Sequence, residues 1–223
     1  MTSFVQWLVF GTVFVLGGSA EAGVVHGTLR VPSVPPAAHV MNAYPGHASA
    51  LPGQHAAARG AVSDAVIYLE RVAPGVEAAL AAAPCTRPRL AQKDQCFMPR
   101  VVATPVGTAV DFPNMDPIYH NVFSVSPTRR FDLGKYPRGH SKSVTFDHAG
   151  LVNVYCDIHS DMAAFVLVVP NHAFTQPAAD GTFALPAVPP GRYTLHLWHP
   201  DFTEVVREIE VHEAGDPALE LSF

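Results

Sequence analysis

Short apolar runs bounded by proline or glycine recur along this sequence, and they restrict the fold more than any other feature. In the clearest example, residues 179 to 198 give a turn, a strand, a second turn and a second strand, with strict alternation of apolar and polar side chains. A period of two places successive side chains on opposite faces of a β-strand. Only 15% of the 223 residues are charged, while 21 prolines and 16 glycines favour tight turns over helices. The sequence therefore predicts an all-β fold built from short strands.

The central segment contains residue types that together bind one soft metal ion. Cys156, His159 and Met162 follow one another at intervals of three, and His120 lies upstream of them. A thiolate and two imidazoles with a weak thioether suit both Cu(I) and Cu(II), so the metal can exchange one electron with little rearrangement. Zinc would accept the same groups but gains nothing from the thioether. The predicted cofactor is a single copper ion in a mononuclear type 1 (blue) centre.

The stretch from Phe97 to Val169 resembles the cupredoxin family, and the Cys-x2-His-x2-Met spacing is most similar to its amicyanin-type, methylamine-utilisation branch. That resemblance implies an eight-stranded Greek-key sandwich, with His120 in one loop and the other three ligands in the last loop. It implies that His159 is the ligand at the solvent edge, through which electrons pass to a partner. Asn121 matches the position that in such proteins ties the two ligand loops together and directs a backbone N–H toward the sulfur.

The sequence past Pro170 differs in character and resembles the carboxypeptidase regulatory-like, transthyretin-like sandwich. Residues 25 to 29 and 65 to 69 fit the opening strands of that family, although residue 29 is leucine. We interpret residues 91–170 as a cupredoxin domain inserted into a discontinuous β-sandwich formed by residues 23–90 and 171–223. The alternative assigns the two early strands to the cupredoxin.

The N-terminal segment has the features of a secretion signal. Residues 8 to 18 are apolar but too short to span a bilayer, and residues 20 to 22 supply small side chains at the expected cleavage site. We predict a signal peptide over residues 1–22, a periplasmic location and no stable membrane span after cleavage. An uncleaved membrane anchor is the alternative.

Export to an oxidising compartment permits disulfide bonds, and the sequence contains three cysteines. Cys85 and Cys96 are close enough in sequence to form a bridge, which would leave Cys156 as the metal ligand. The alternative is that Cys85 and Cys96 are two separate thiols.

The predicted activity is electron transfer without catalysis, so the chain is not expected to be an enzyme. The loop from Cys156 to Met162 leaves little space for a substrate at the metal. A multicopper oxidase or reductase would need a histidine directly beside the cysteine, but Tyr155 and Asp157 flank Cys156. Haem attachment would need Cys-x-x-Cys-His, which does not occur in the sequence.

The predicted partner is a redox protein, either a cytochrome or a dehydrogenase. A cluster of basic residues upstream of the cysteine would attract an acidic partner, unless it is an ordinary solvated strand edge. The cluster has no accompanying nucleic-acid-binding motif, so no nucleic-acid binding is predicted. Its members are Arg129, Arg130, Lys135, Arg138 and Lys142.

The sequence is also compatible with two other functions. The first is copper binding or delivery in the periplasm, favoured by a loop rich in proline and alanine that contains His39, Met41, His47 and His55. The second is a structural role in the cell envelope without metal.

Overall fold

The computed structural model describes residues 23–33, 60–213 and 218–223. The predicted signal peptide and the histidine-containing loop lie outside these residues. No helix in the described ranges has the length and apolar character needed to cross a membrane. The prediction of an all-β fold is confirmed, because the described residues contain sixteen strands and one α-helix, α1 (Pro74–Ala81).

The strands in chain order are β1 (His26–Arg30), β2 (Val66–Leu69), β3 (Ala91–Lys93), β4 (Cys96–Met98), β5 (Val101–Pro105), β6 (Thr108–Pro113), β7 (His120–Ser126), β8 (Arg129–Tyr136), β9 (Ser141–Phe146), β10 (Gly150–Tyr155), β11 (Ala163–Val169), β12 (Phe174–Thr175), β13 (Thr182–Ala184), β14 (Gly191–Trp198), β15 (Val205–Val211) and β16 (Leu219–Ser222).

Strands β3 to β11 form what we call the central sandwich. One sheet has the order β5-β11-β10-β7-β8. The facing layer contains the pairs β6-β9 and β3-β4, and single bridges such as Gln92 to Asn114 connect β3 to the edge of β6. Alternating side chains from the two layers meet in one core, in which Phe112 and Phe146 are completely buried. Burying each phenylalanine stabilises the fold by about 1.5–3 kcal/mol.

The remaining strands form what we call the outer sandwich. One sheet has the order β13-β1-β16 and the other β12-β2-β14-β15. These sheets combine strands from before and after residues 91–170, and in the described residues neither β1 nor β2 pairs with a strand of the central sandwich. The insertion of residues 91–170 into this discontinuous unit stays a prediction. The transthyretin-like assignment of these strands stays a prediction.

A buried interface joins the two sandwiches. Apolar side chains of β5 and β11 pack against β2, with Phe165 edge-on to Trp198. Beside them, the Arg100 guanidinium bonds to Asp64 at 2.9 Å and to both carboxylate oxygens of Asp201 at 2.8 and 2.9 Å. Less than a tenth of each of these three side chains is exposed. The interface therefore contains a charge cluster that is nearly closed to solvent.

Gly27 lies in the middle of β1, where the parallel strand β16 approaches very closely. A Cβ atom at this position would overlap the backbone carbonyl of Leu219. We expect Gly27→Val to lower the free energy of unfolding by about 1–3 kcal/mol, because the two backbones must move apart. Urea denaturation measures this change. Gly75→Ala in α1 is the control, because no atom lies within 4 Å of its added Cβ, and no loss of stability is expected there. A Gly27→Val variant as stable as the parent chain would contradict the close pairing of β1 and β16.

Candidate metal centre

The central sheet brings the predicted ligands to one of its ends. His120 is the first residue of β7, Cys156 directly follows β10, and Met162 directly precedes β11. Strand β10 lies between β7 and β11 and runs antiparallel to both. The start of β7, the end of β10 and the start of β11 therefore lie at the same edge of the sheet. This topology explains how a histidine far upstream in the sequence reaches the cysteine.

Three of the four predicted ligands lie together in space. The Cys156 Sγ atom is 3.8 Å from His120 Nδ1 and 3.8 Å from His159 Nδ1, and all three donor atoms lie within 4.8 Å of one another. When a nitrogen at about 2.0 Å and a sulfur at about 2.3 Å bind the same metal ion, the two donor atoms are separated by roughly 3.5–3.7 Å. The spacing of these side chains therefore fits a single copper ion.

Met162 is held beside this cluster by the backbone of the loop. The Cys156 N–H donates to the Met162 carbonyl at 3.3 Å, and the Met162 N–H donates to the His159 carbonyl at 3.1 Å. The Met162 side chain is 1% exposed and belongs to the same apolar core as Cys156. Its role as the axial ligand stays a prediction.

The two imidazoles differ in their access to solvent. His120 is completely buried, whereas His159 is partly exposed and adjoins the exposed Ile158. Burial lowers the pKa of His159 and the neighbouring His120 lowers it further, although Asp116 acts in the opposite direction. A histidine with a lowered pKa is mainly neutral at pH 7, which is the form that binds metal. Among the predicted ligands, His159 is therefore the one that is most accessible to solvent.

The structure adds Asp116, which the sequence interpretation missed. The His120 Nε2–H donates to Asp116 Oδ2 at 2.8 Å. The backbone N–H groups of Asp94 and Gln95 donate to the same carboxylate at 2.6 and 2.9 Å. Burial acts to raise the pKa of Asp116, but the bonds from Gln95, His120 and Asp94 outweigh it and lower this pKa below its ordinary value. A carboxylate four residues before a ligand histidine was the only sequence signal for this contact.

Asp94 and Gln95 form the turn between β3 and β4, and both have left-handed backbone angles, with φ of 54° and 56°. For residues other than glycine, this conformation costs about 1–2 kcal/mol each. A two-residue hairpin turn of this kind requires positive φ at both positions, and here both N–H groups also donate to the Asp116 carboxylate. The turn is therefore part of the surroundings of the metal centre.

Asn121 is buried next to His120 in β7, and its side-chain oxygen has no hydrogen-bond partner in the structure. Its expected role in tying the ligand loops stays a prediction.

Asn114 is the asparagine whose side chain organises the His120 loop. Its amide donates to the carbonyls of Ile118 and Tyr136 at 2.8 and 3.0 Å, and its oxygen accepts from the Asp116 N–H at 2.9 Å.

The disulfide between Cys85 and Cys96 stays a prediction, and no bond joins the two residues in the structure. Cys85 is exposed in the extended segment that follows α1. Cys96 lies in the separate β3–β4 hairpin, and burial together with Asp116 and Asp94 raises the pKa of its thiol. The two residues therefore belong to different local structures.

Comparison with known proteins gave structural matches alone, since no protein-family model and no curated protein matches the sequence. A copper-containing nitrite reductase from Thermus scotoductus SA-01 is 26% identical, with a TM-score of 0.36, over 39% of this chain and 23% of the reductase. A reduced mutant of amicyanin is 21% identical, with a TM-score of 0.36, over 40% of this chain and 88% of its own. A purple cupredoxin from Nitrosopumilus maritimus is 22% identical, with a TM-score of 0.34, over 36% of this chain and 98% of its own.

All three TM-scores lie below 0.5, so the function proposed below depends on the residues of the centre and not on these matches. The match to the reductase covers less than a quarter of that protein. The solved structures that are similar to this chain are cupredoxins, and they cover about 40% of it.

Proposed function

We propose that this chain is an exported one-electron carrier that holds one type 1 copper ion with His120, Cys156, His159 and Met162. The observation that carries the proposal is the spacing of the buried thiol and the two imidazoles, which fits one metal ion. Copper bound there would supply a Cu(I)/Cu(II) couple that accepts and releases one electron.

The surroundings of the ligands support electron transfer over catalysis. His120 and Cys156 are buried and the loop from Cys156 to Met162 is closed by backbone hydrogen bonds, so the side chains leave no evident position for a substrate. His159 provides the route for electrons, because it is the ligand that reaches the surface. A thiolate, two imidazoles and a thioether suit both Cu(I) and Cu(II), so little rearrangement is needed when the charge of the metal changes.

The surface near the ligands supports a redox partner with an acidic face. Lys135 pairs with Asn121, and the next pair along the strands is Tyr136 with His120, so the basic cluster reaches the metal end of β8. Lys135, Arg138 and Lys142 are exposed. Opposite charge on a partner would speed encounter, and salt would weaken that effect. We propose an acidic cytochrome or dehydrogenase as this partner.

The test is to load the purified chain with copper and to record its visible absorption, its electron spin resonance and its reduction potential. We expect one copper per chain, an intense charge-transfer band and a reversible potential. Electron exchange with an acidic cytochrome should be faster than with a basic one, and added salt should slow it. Tight copper binding with slow exchange and ready copper loss would favour delivery instead, and absence of stoichiometric copper would favour a structural module.

Cell fractionation with N-terminal sequencing tests the location, and we expect periplasmic protein that starts at Gly23.

A further inference from the structure

The β3–β4 turn is connected to the candidate copper ligand His120 by a continuous chain of hydrogen bonds. The turn gives two backbone N–H groups to the Asp116 carboxylate, one to each oxygen, at 2.6 and 2.9 Å. Asp116 Oδ2 also accepts from His120 Nε2 at 2.8 Å. Asp116 is 4% exposed, so water competes little for these bonds.

The position of the His120 proton in this chain of hydrogen bonds follows from which groups can donate and which can only accept. An ionised carboxylate can only accept hydrogen bonds, so the Nε2 atom of His120 must carry the proton. The Nδ1 atom of a neutral ring then has the free lone pair, and this atom is the one that lies 3.8 Å from Cys156 Sγ. The carboxylate therefore selects the ring nitrogen that faces the other ligands.

We propose that the Asp94–Gln95 turn and Asp116 form a clamp that fixes His120 as an Nδ1 ligand and makes its ring a stronger donor to Cu(II). This inference rests on the copper function proposed above. A carboxylate behind an imidazole raises the basicity of that ligand, which favours the more highly charged metal ion. Asp116 is in this view a positioning residue, and its removal is expected to raise the reduction potential.

The residue types of the turn and the direction of its N–H groups favour a role in the clamp over a purely structural role for the turn. A two-residue hairpin turn with left-handed angles at both positions normally has asparagine and glycine, which adopt them easily. This chain has Asp94 and Gln95 there instead, with both N–H groups converging on one buried carboxylate. Neither bond is needed to pair β3 with β4, whose registered pairs are formed by other residues.

The test compares the parent chain with Asp116→Asn, which keeps the size of the side chain and removes its charge. We expect Cu(II) affinity to fall about 10–100-fold, as for other lost partners of metal-bound histidines. Cu(I) affinity should fall less, so the reduction potential should rise. Asp132→Asn is the matched control, because it removes the same charge from an exposed carboxylate whose bond goes to Gly134, and no change in potential is expected.

A second measurement needs neither copper nor a correctly folded variant. Nitrogen NMR of the histidine rings in the metal-free parent chain is expected to show His120 with its proton on Nε2. A proton on Nδ1 would overturn the clamp whether or not the chain binds copper. Equal potentials for Asp116→Asn and the parent chain, both with the intense band, would also overturn the clamp and leave the copper function standing. A parent chain that binds no copper contradicts the proposed function, and the NMR result still decides how His120 is held.

Discussion

Cys156→Ser is expected to abolish the intense visible band of the copper-loaded protein. That band arises from charge transfer between a thiolate and Cu(II), and a serine hydroxyl is a poor ligand for copper at this position. Serine is close to cysteine in size, and Cys156 is 1% exposed within the core, so the backbone of the ligand loop should keep its shape. Absorption and spin resonance of the two proteins, loaded side by side, measure the change.

Cys85→Ser is the matched control, because it makes the same chemical change at an exposed thiol outside the centre. It should keep the band and the stoichiometry of the parent chain. If Cys156→Ser retained the parent spectrum, Cys156 would not be a ligand and the proposed centre would be wrong.

Arg100→Met is expected to lower the free energy of unfolding by about 3–5 kcal/mol, which is the usual effect of removing one partner of a buried ion pair. Asp64 and Asp201 would then lose the guanidinium that both of them contact in this nearly closed interface. Chemical denaturation at neutral pH measures the loss. Arg192→Met is the control, because Arg192 and its partner Glu210 are largely exposed at 4.0 Å, and a pair of this kind contributes less than about 1 kcal/mol.

The stability lost in Arg100→Met should depend on pH. Burial raises the pKa of Asp64, and Arg100 opposes that shift. A carboxyl group with a raised pKa in the folded state destabilises the fold while it is ionised, and this penalty disappears as the pH falls through that pKa. The penalty is larger without Arg100, so the stability gap between variant and parent should narrow in acid. A gap that stays constant from neutral to acidic pH would show that the arginine acts through packing alone.

The alternation of apolar residues predicts most of the strands, but not β3, β4, β8 or β12. Strand β8 has charged residues and a glycine among its apolar positions, and only one of its residues is fully buried. Strand β3 is three residues long and contains one buried side chain, Gln92. Such strands form because they pair with neighbouring strands. A local sequence pattern contains no information about that pairing.

The candidate ligands were predictable because three of them occupy one short loop with fixed spacing. The contact between Asp116 and His120 was not, because it depends on the conformation of the loop between them and on a turn some twenty residues upstream. Whether Cys85 and Cys96 can meet likewise depends on where the hairpin lies, which sequence separation does not reveal.

The parallel pairing of β1 with β16 has a consequence for how the chain matures. Residues 219–222 lie beside residues 26–30 in the sheet, although nearly all of the described chain separates the two segments in sequence. Until β16 pairs with it, β1 has one unpaired edge. Folding of the outer sandwich should therefore be slow and sensitive to truncation at residue 218.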